Sequence, residues 1–154
     1  MLTNESEGII TNSMPLHATI ILEEMIRSTK QSFVAITEKL SSDVWTESVI
    51  QCLADKIRAG IKVRIITARC NPSDVPVVSN FRNIEKSESV FESRGLDDKN
   101  KDFTYNFAVS DSKAFRFEHD RENRKAIFCA NDINLAKKLV DVFEKLFSLG
   151  QVCR

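Results

Sequence analysis

The chain predicts an α/β fold, a mixed β-sheet flanked by helices, and three stretches carry that prediction. Residues 32–67 run strand, helix, strand, which is the order of a βαβ unit. Residues 103–109 alternate Phe103, Tyr105, Phe107 and Val109 with Thr104, Asn106 and Ala108, the period of a strand. The C-terminal quarter repeats apolar residues at helical spacing: Leu135, Leu139, Val142, Phe143, Leu146 and Phe147.

The elements follow in order. Residues 1–12 are polar around Gly8-Ile9-Ile10 and form an N-terminal arm or an edge strand. Ser13-Met14-Pro15 opens a helix, with Ser as cap and Pro in the first turn. Ala18, Ile21, Leu22, Met25, Ile26 and Thr29 are its inner face. Residues 32–37, Ser-Phe-Val-Ala-Ile-Thr, read as a buried strand. Ser41-Ser42-Asp43 offers the cap of a second helix, with Trp45, Val49, Cys52, Leu53 and Ile57 inside and Gly60 closing it. Ile61–Thr67 is the next strand, parallel to the first through a right-handed crossover. A turn-rich link, Asn71–Pro76, leads into a short helix over 77–84. Residues 85–102 are polar, with Val90-Phe91 a minor strand and Gly95–Lys101 a mobile loop. After the 103–109 strand come a turn at 110–113, its partner strand 114–118, a charged loop 119–125, a last strand 126–130 and the closing helix ending at Gly150. The organisation is therefore an arm (1–12), one domain (13–150) and a C-terminal tail (151–154).

Composition excludes several classes. The 154 residues suit one domain. Twenty-two basic and 22 acidic residues give zero net charge, which argues against coating nucleic acid electrostatically. No apolar run approaches the ~20 residues of a membrane span. The four cysteines, Cys52, Cys70, Cys129 and Cys153, contain no C-x-x-C pair, and the two histidines, His17 and His119, are far apart. No metal site and no cofactor are expected. Free thiols and the absence of a leader point to the cytoplasm.

The stretch Met25–Thr67, with "MIRSTKQSFVAIT" and "AGIKVRIIT", resembles the first βαβ unit of phospholipase D superfamily domains. "NPSDVPVV" is similar to the link that follows in many members. "FTYNFAVSDSKAFRFE" resembles the strand–turn–strand carrying the family's H-x-K-x-x-x-x-D signature, and "RKAIFCANDINLAKKLVDVFEKLF" its closing strand and helix. The likeness covers residues 16–149 and implies half of a two-copy phospholipase D enzyme.

In that family the His attacks phosphate as a nucleophile, the Lys two residues on neutralises developing charge, and the Asp orients the site. The matching positions here are Thr104, Asn106 and Asp111. Only the Asp matches. A Thr hydroxyl needs an activating base, and an Asn carries no charge. The family's Gly-Ser-x-Asn continuation falls on Glu118-His119-Asp120-Arg121 and departs again. The resemblance thus implies a pseudoenzyme. Some bacterial single-copy members of about this length pair as homodimers, so the resemblance implies a homodimer with Thr104, Asn106 and residues 118–121 near a two-fold axis.

Bland readings stand beside these. Thr104 and Asn106 are vestiges of a phosphate site or the solvent face of an edge strand. Asp111 is also what a tight turn selects. The 118–125 cluster is a solvated loop, a dimer ion-pair network, or an acid–base site in which His119 works with Glu118 or Asp111 as an altered phosphodiesterase or nuclease. Lys62, Arg64, Arg121, Arg124 and Lys125 are the candidate binding cations. The expected function is a homodimeric binding or accessory module for a nucleic acid, a phosphorylated ligand or a protein partner.

Overall fold

The protein was analysed as a computed structural model, which describes residues 9–12, 15–40, 43–103, 105–120, 122–123 and 125–153. Strands are β1 (Ile9–Asn12), β2 (Ser32–Thr37), β3 (Lys62–Thr67), β4 (Phe91–Gly95), β5 (Asn106–Ser110), β6 (Ala114–Asp120), β7 (Lys125–Cys129) and β8 (Gln151–Val152). Helices are α1 (Pro15–Ser28), α2 (Glu47–Arg58), α3 (Val75–Arg82) and α4 (Ile133–Leu149). The strands form one mixed sheet in the order β1-β7-β6-β5-β2-β3-β4-β8. Strands β2, β3 and β4 run parallel, as their helical crossovers require; the other pairings are antiparallel.

Side-chain alternation divides the core in two. One set, with Phe33, Ala35, Val63, Ile65, Phe91, Ala108 and Phe128, packs under α1, α2 and α3. The other, with Val34, Ile36, Ile66, Val109 and Phe115, packs under α4 through Phe143, Leu146 and Phe147. The apolar runs of β2 and β3 are what a strand covered on both faces needs. No described helix is long and apolar enough to cross a membrane.

Several expectations are corrected. The cap of α2 is Thr46, whose side chain accepts from Val49 N, so the helix starts later than Ser41-Ser42-Asp43 suggests; Ser41 and Ser42 lie outside the described residues. Trp45 precedes the helix and is buried. Gly60 does close α2, at φ 81°, a conformation that favours glycine. Helix α3 starts at Val75, two residues before the expected start.

The minor strand at 90–91 is a full parallel strand, and Gly95 is its last residue rather than the start of a mobile loop. Leu96 is buried and its N–H donates to Thr67 O at 3.0 Å. Part of the arm and part of the tail are sheet edges: residues 9–12 pair with β7, and 151–152 with β4. Cys70 and Cys153 form a disulfide across 83 residues of sequence, and Cys52 and Cys129 are buried outside it. The cysteine argument for a reducing compartment therefore loses half its residues.

Candidate functional site

The β5–β6 hairpin builds the site. Its turn has Asp111 and Ser112 at φ 53° and 54°, and Lys113 N donates to Ser110 O at 3.1 Å. Two positive φ values give the primed turn whose twist matches paired strands. The turn fixes the register, so Ala108 lies opposite Arg116 and Asn106 opposite Glu118. Ala108 belongs to the core under α1 and α2, so Asn106, Arg116 and Glu118, two residues apart along each strand, share that face.

There they line a cleft of about 440 Å³. Leu22 of α1, Ile36 and Thr37 of β2, and Glu38, Lys39, Asp43, Val44 and Trp45 of the β2–α2 loop complete the described walls. The loop is held from three directions. Trp45 Nε1 donates to Thr37 Oγ1 at 3.1 Å, and Thr19 Oγ1 donates to Val44 O at 3.2 Å. Leu40 N donates to both carboxylate oxygens of buried Asp74, each at 3.1 Å.

The cleft floor is charged and buried. Arg116 is 5% exposed and Glu118 6%. Arg116 Nη2 lies 3.6 Å from Glu118 Oε2, longer than a close charge-assisted hydrogen bond. Asn106 Nδ2 donates to Glu118 Oε1 at 2.9 Å. Arg116 Nε is buried with no partner. Burial is the main influence on Arg116 and lowers its pKa, with the Glu118 charge opposing.

The motif positions separate. Asn106 is in the cleft, whereas Asp111 lies at the far end of β5, about 16 Å away at roughly 3.3 Å per residue. There its carboxylate accepts from Lys30 N, Gln31 N and Ser32 N at 2.9, 2.7 and 3.0 Å. Asp111 thus ties the hairpin turn to the α1–β2 connection. Burial pushes its pKa up, but those hydrogen bonds and Lys113 outweigh burial and hold it below 3.8. Thr104 lies outside the described residues.

His119 is exposed, makes no hydrogen bond with a described residue, and is left unpaired by the β6–β7 register shift between Glu118 and Asp120. The expected couple of His119 with Glu118 or Asp111 is not assembled: Glu118 is buried with Asn106 and Arg116, and Asp111 is committed elsewhere. The candidate cations separate too. Lys62 starts β3, opposite Ser32, at the Asp111 end of the sheet. Arg64 is spent on Glu144 of α4, at 2.5 and 3.2 Å, and stacks on Phe143 and Phe147. Lys125 starts β7 opposite Asp120, at the cleft end. Arg121 and Arg124 lie outside the described residues. No group of three or more metal-ligating side chains occurs among the described residues.

Arg116 was missed by the sequence reading. The available signal was the pattern Ala114-Phe115-Arg116-Phe117-Glu118, where two Phe fill one face and charge is left for the other.

No protein-family model matches the chain, and no curated protein sequence matches it. Solved structures do. The archaeal chromatin protein TrmBL2, described as binding DNA, superposes with a TM-score of 0.71 at 13% identity, over 94% of this chain and 53% of that one. The phospholipase D family member Nuc from Salmonella typhimurium gives 0.68 at 13%, over 95% and 97%. NucT from Helicobacter pylori gives 0.69 at 12%, over 94% and 99%. The chain thus spans about half of the chromatin protein and nearly all of the other two. It has a phospholipase D-like α/β fold.

Proposed function

We propose that this chain is a catalytically silent phospholipase D-like module that binds a small ligand in the cleft without cleaving it, and that it works as a homodimer. One observation carries the reading. Asn106 replaces the lysine of the resemblance, and its amide is committed to Glu118 beside the buried Arg116. The described cleft lining contains no imidazole to act as nucleophile. What remains is a lined recess with polar groups converging on its floor, which is the anatomy of a binding site.

The DNA binding described for the chromatin protein is the competing analogy. The placement of cations favours the cleft instead. Among the described residues, Lys62 and Lys125 stand at opposite ends of the sheet, and Arg64 is occupied by α4. A groove that tracks a phosphate backbone needs contiguous free cations.

The test is hydrolysis of bis(p-nitrophenyl) phosphate and of DNA by the purified full chain. The expected outcome is no turnover above buffer, unchanged by His119→Ala. Turnover abolished by His119→Ala would replace this reading with the altered-hydrolase one. A gel shift with DNA at low salt is expected to show no retardation.

A further inference from the structure

We infer that the cleft takes a small zwitterion, an α-amino acid with an apolar side chain, whose carboxylate meets Arg116 and whose ammonium meets Glu118. This rests on the reading of the cleft as a ligand site and specifies what enters it.

The floor is unfinished on both signs of charge. A guanidinium carries five donors. Arg116 uses them on one contact of 3.6 Å, and Nε has no partner. Arg64 and Arg94 also leave Nε unpartnered, yet both are engaged elsewhere: Arg64 bidentate on Glu144, Arg94 on Phe147 O at 2.6 Å and over the Phe147 ring. Arg116 alone of the three lines the cleft. On the acidic side, Asn106 satisfies Oε1 of Glu118, while Oε2 faces only the long contact to Arg116. A buried charge with unspent hydrogen-bonding capacity is costly and asks for a partner.

Charge selects the partner. Among the described residues, Lys39 and Arg116 line the cleft with Glu38, Asp43 and Glu118, so both signs of charge reach it. A phosphate dianion on Arg116 would lie against the buried carboxylate of Glu118. A simple cation would face Arg116. A molecule bearing both charges on neighbouring atoms closes the donor set of Arg116 and the free oxygen of Glu118 together, with no change in net charge. Arg is suited to the carboxylate because its planar fork donates to both oxygens at once.

The walls select the rest. Leu22, Val44 and Trp45 give an apolar side. Trp45 lines the cleft with its Nε1 already bonded to Thr37. The volume of about 440 Å³ lies within the roughly 300–1,000 Å³ of small-molecule sites.

Trp45 is the only tryptophan and supplies the probe. Its fluorescence is followed while the full chain is titrated with leucine, phenylalanine, their N-acetyl and amide derivatives, and inorganic phosphate. The expected result is a saturable change with the free amino acids and at least about a tenfold weaker response once either charge is blocked. Arg116→Met leaves Glu118 buried alone and risks misfolding. The double variant Arg116→Met with Glu118→Met removes both charges, and its circular dichroism checks the fold. A folded double variant that no longer responds to leucine supports the inference. Equal responses to leucine and N-acetyl-leucine overturn it. So does the absence of any saturable response to the free amino acids at millimolar concentration, which would make the pair structural only. Saturation by phosphate alone overturns the zwitterion and leaves the cleft as a binding site. Phosphodiester turnover would overturn the binding-module reading itself.

Discussion

Asp111 and Arg116 lie five residues apart on one hairpin, and the chain discloses them unequally. Asp111 stands in Ser110-Asp111-Ser112, where turn chemistry and family likeness both point to it. The turn is what the structure delivers, with three amide donors converging on the carboxylate. Those donors are Lys30, Gln31 and Ser32, about eighty residues away in sequence, so no local pattern announces them. Replacing Asp111 by Ala removes all three bonds and places a Cβ-bearing residue at φ 53° without a side-chain acceptor. The expected loss is about 2–3 kcal/mol in urea unfolding. Asp111→Asn tolerates that φ and keeps one acceptor, so its loss is smaller.

The same contact sets a pH dependence. The folded pKa of Asp111 is depressed, so its stabilisation is fully present above the ordinary value of 3.8 and is lost as pH falls through the folded value. The stability advantage of the native chain over Asp111→Asn should therefore shrink as pH is lowered below 3.8. An advantage constant across that window would refute the charge assignment. Arg116 and Glu118 make the opposite case. Either single replacement strands a buried charge and costs about 3–5 kcal/mol, whereas the paired Met replacement is near neutral or stabilising. A double-mutant cycle in urea reads the difference.

Elements with strong periodicity are legible and short edge elements are not. The period of two in 103–109 survives from Asn106 onward in β5, and the helical spacing of 135–147 survives in α4. Strand β8 has two residues, too few for any pattern, and it stays in place through contacts the sequence separates widely. The disulfide ties Cys153 to Cys70. The guanidinium of Arg82 donates to Cys153 O. Gly150 packs so closely that an added Cβ would lie 2.8 Å from Gly95 O. Gly150→Ala must move backbone, and about 1–3 kcal/mol of destabilisation is expected by thermal or urea unfolding. Reduction of the disulfide, or Cys153→Ser, frees an 83-residue loop and should lower stability by about 2–4 kcal/mol. Amide exchange at Gln151 and Val152 should accelerate at the same time. Protein alkylated directly from cells reports which state of the pair is the working one: a protected Cys70 and Cys153 means an oxidising compartment.

At the scale of the molecule, the proposed homodimer is argued from Tyr105 at the cleft end of the sheet, from apolar exposure on α4 and from the absence of net charge. Tyr105 is 46% exposed between the two degenerate motif positions, stacked on Phe117 at 5.4 Å and edge-on to Phe103 at 5.7 Å. Leu135 and Val142 are 40% and 39% exposed on α4, the helix over the same face as Phe117. Zero net charge leaves little repulsion between copies. An exposed, supported tyrosine is the kind of residue that anchors an interface, and a two-fold contact at this end would use it twice. Light scattering at micromolar concentration should return twice the 17.5 kDa protomer mass. Tyr105→Glu sets two like charges at the axis and should return the protomer mass with unchanged circular dichroism. If the dimer persists in Tyr105→Glu, the two-fold lies elsewhere on the molecule. If the native chain is a monomer, the homodimeric reading is withdrawn. The cleft would remain, because its lining residues lie within a single protomer.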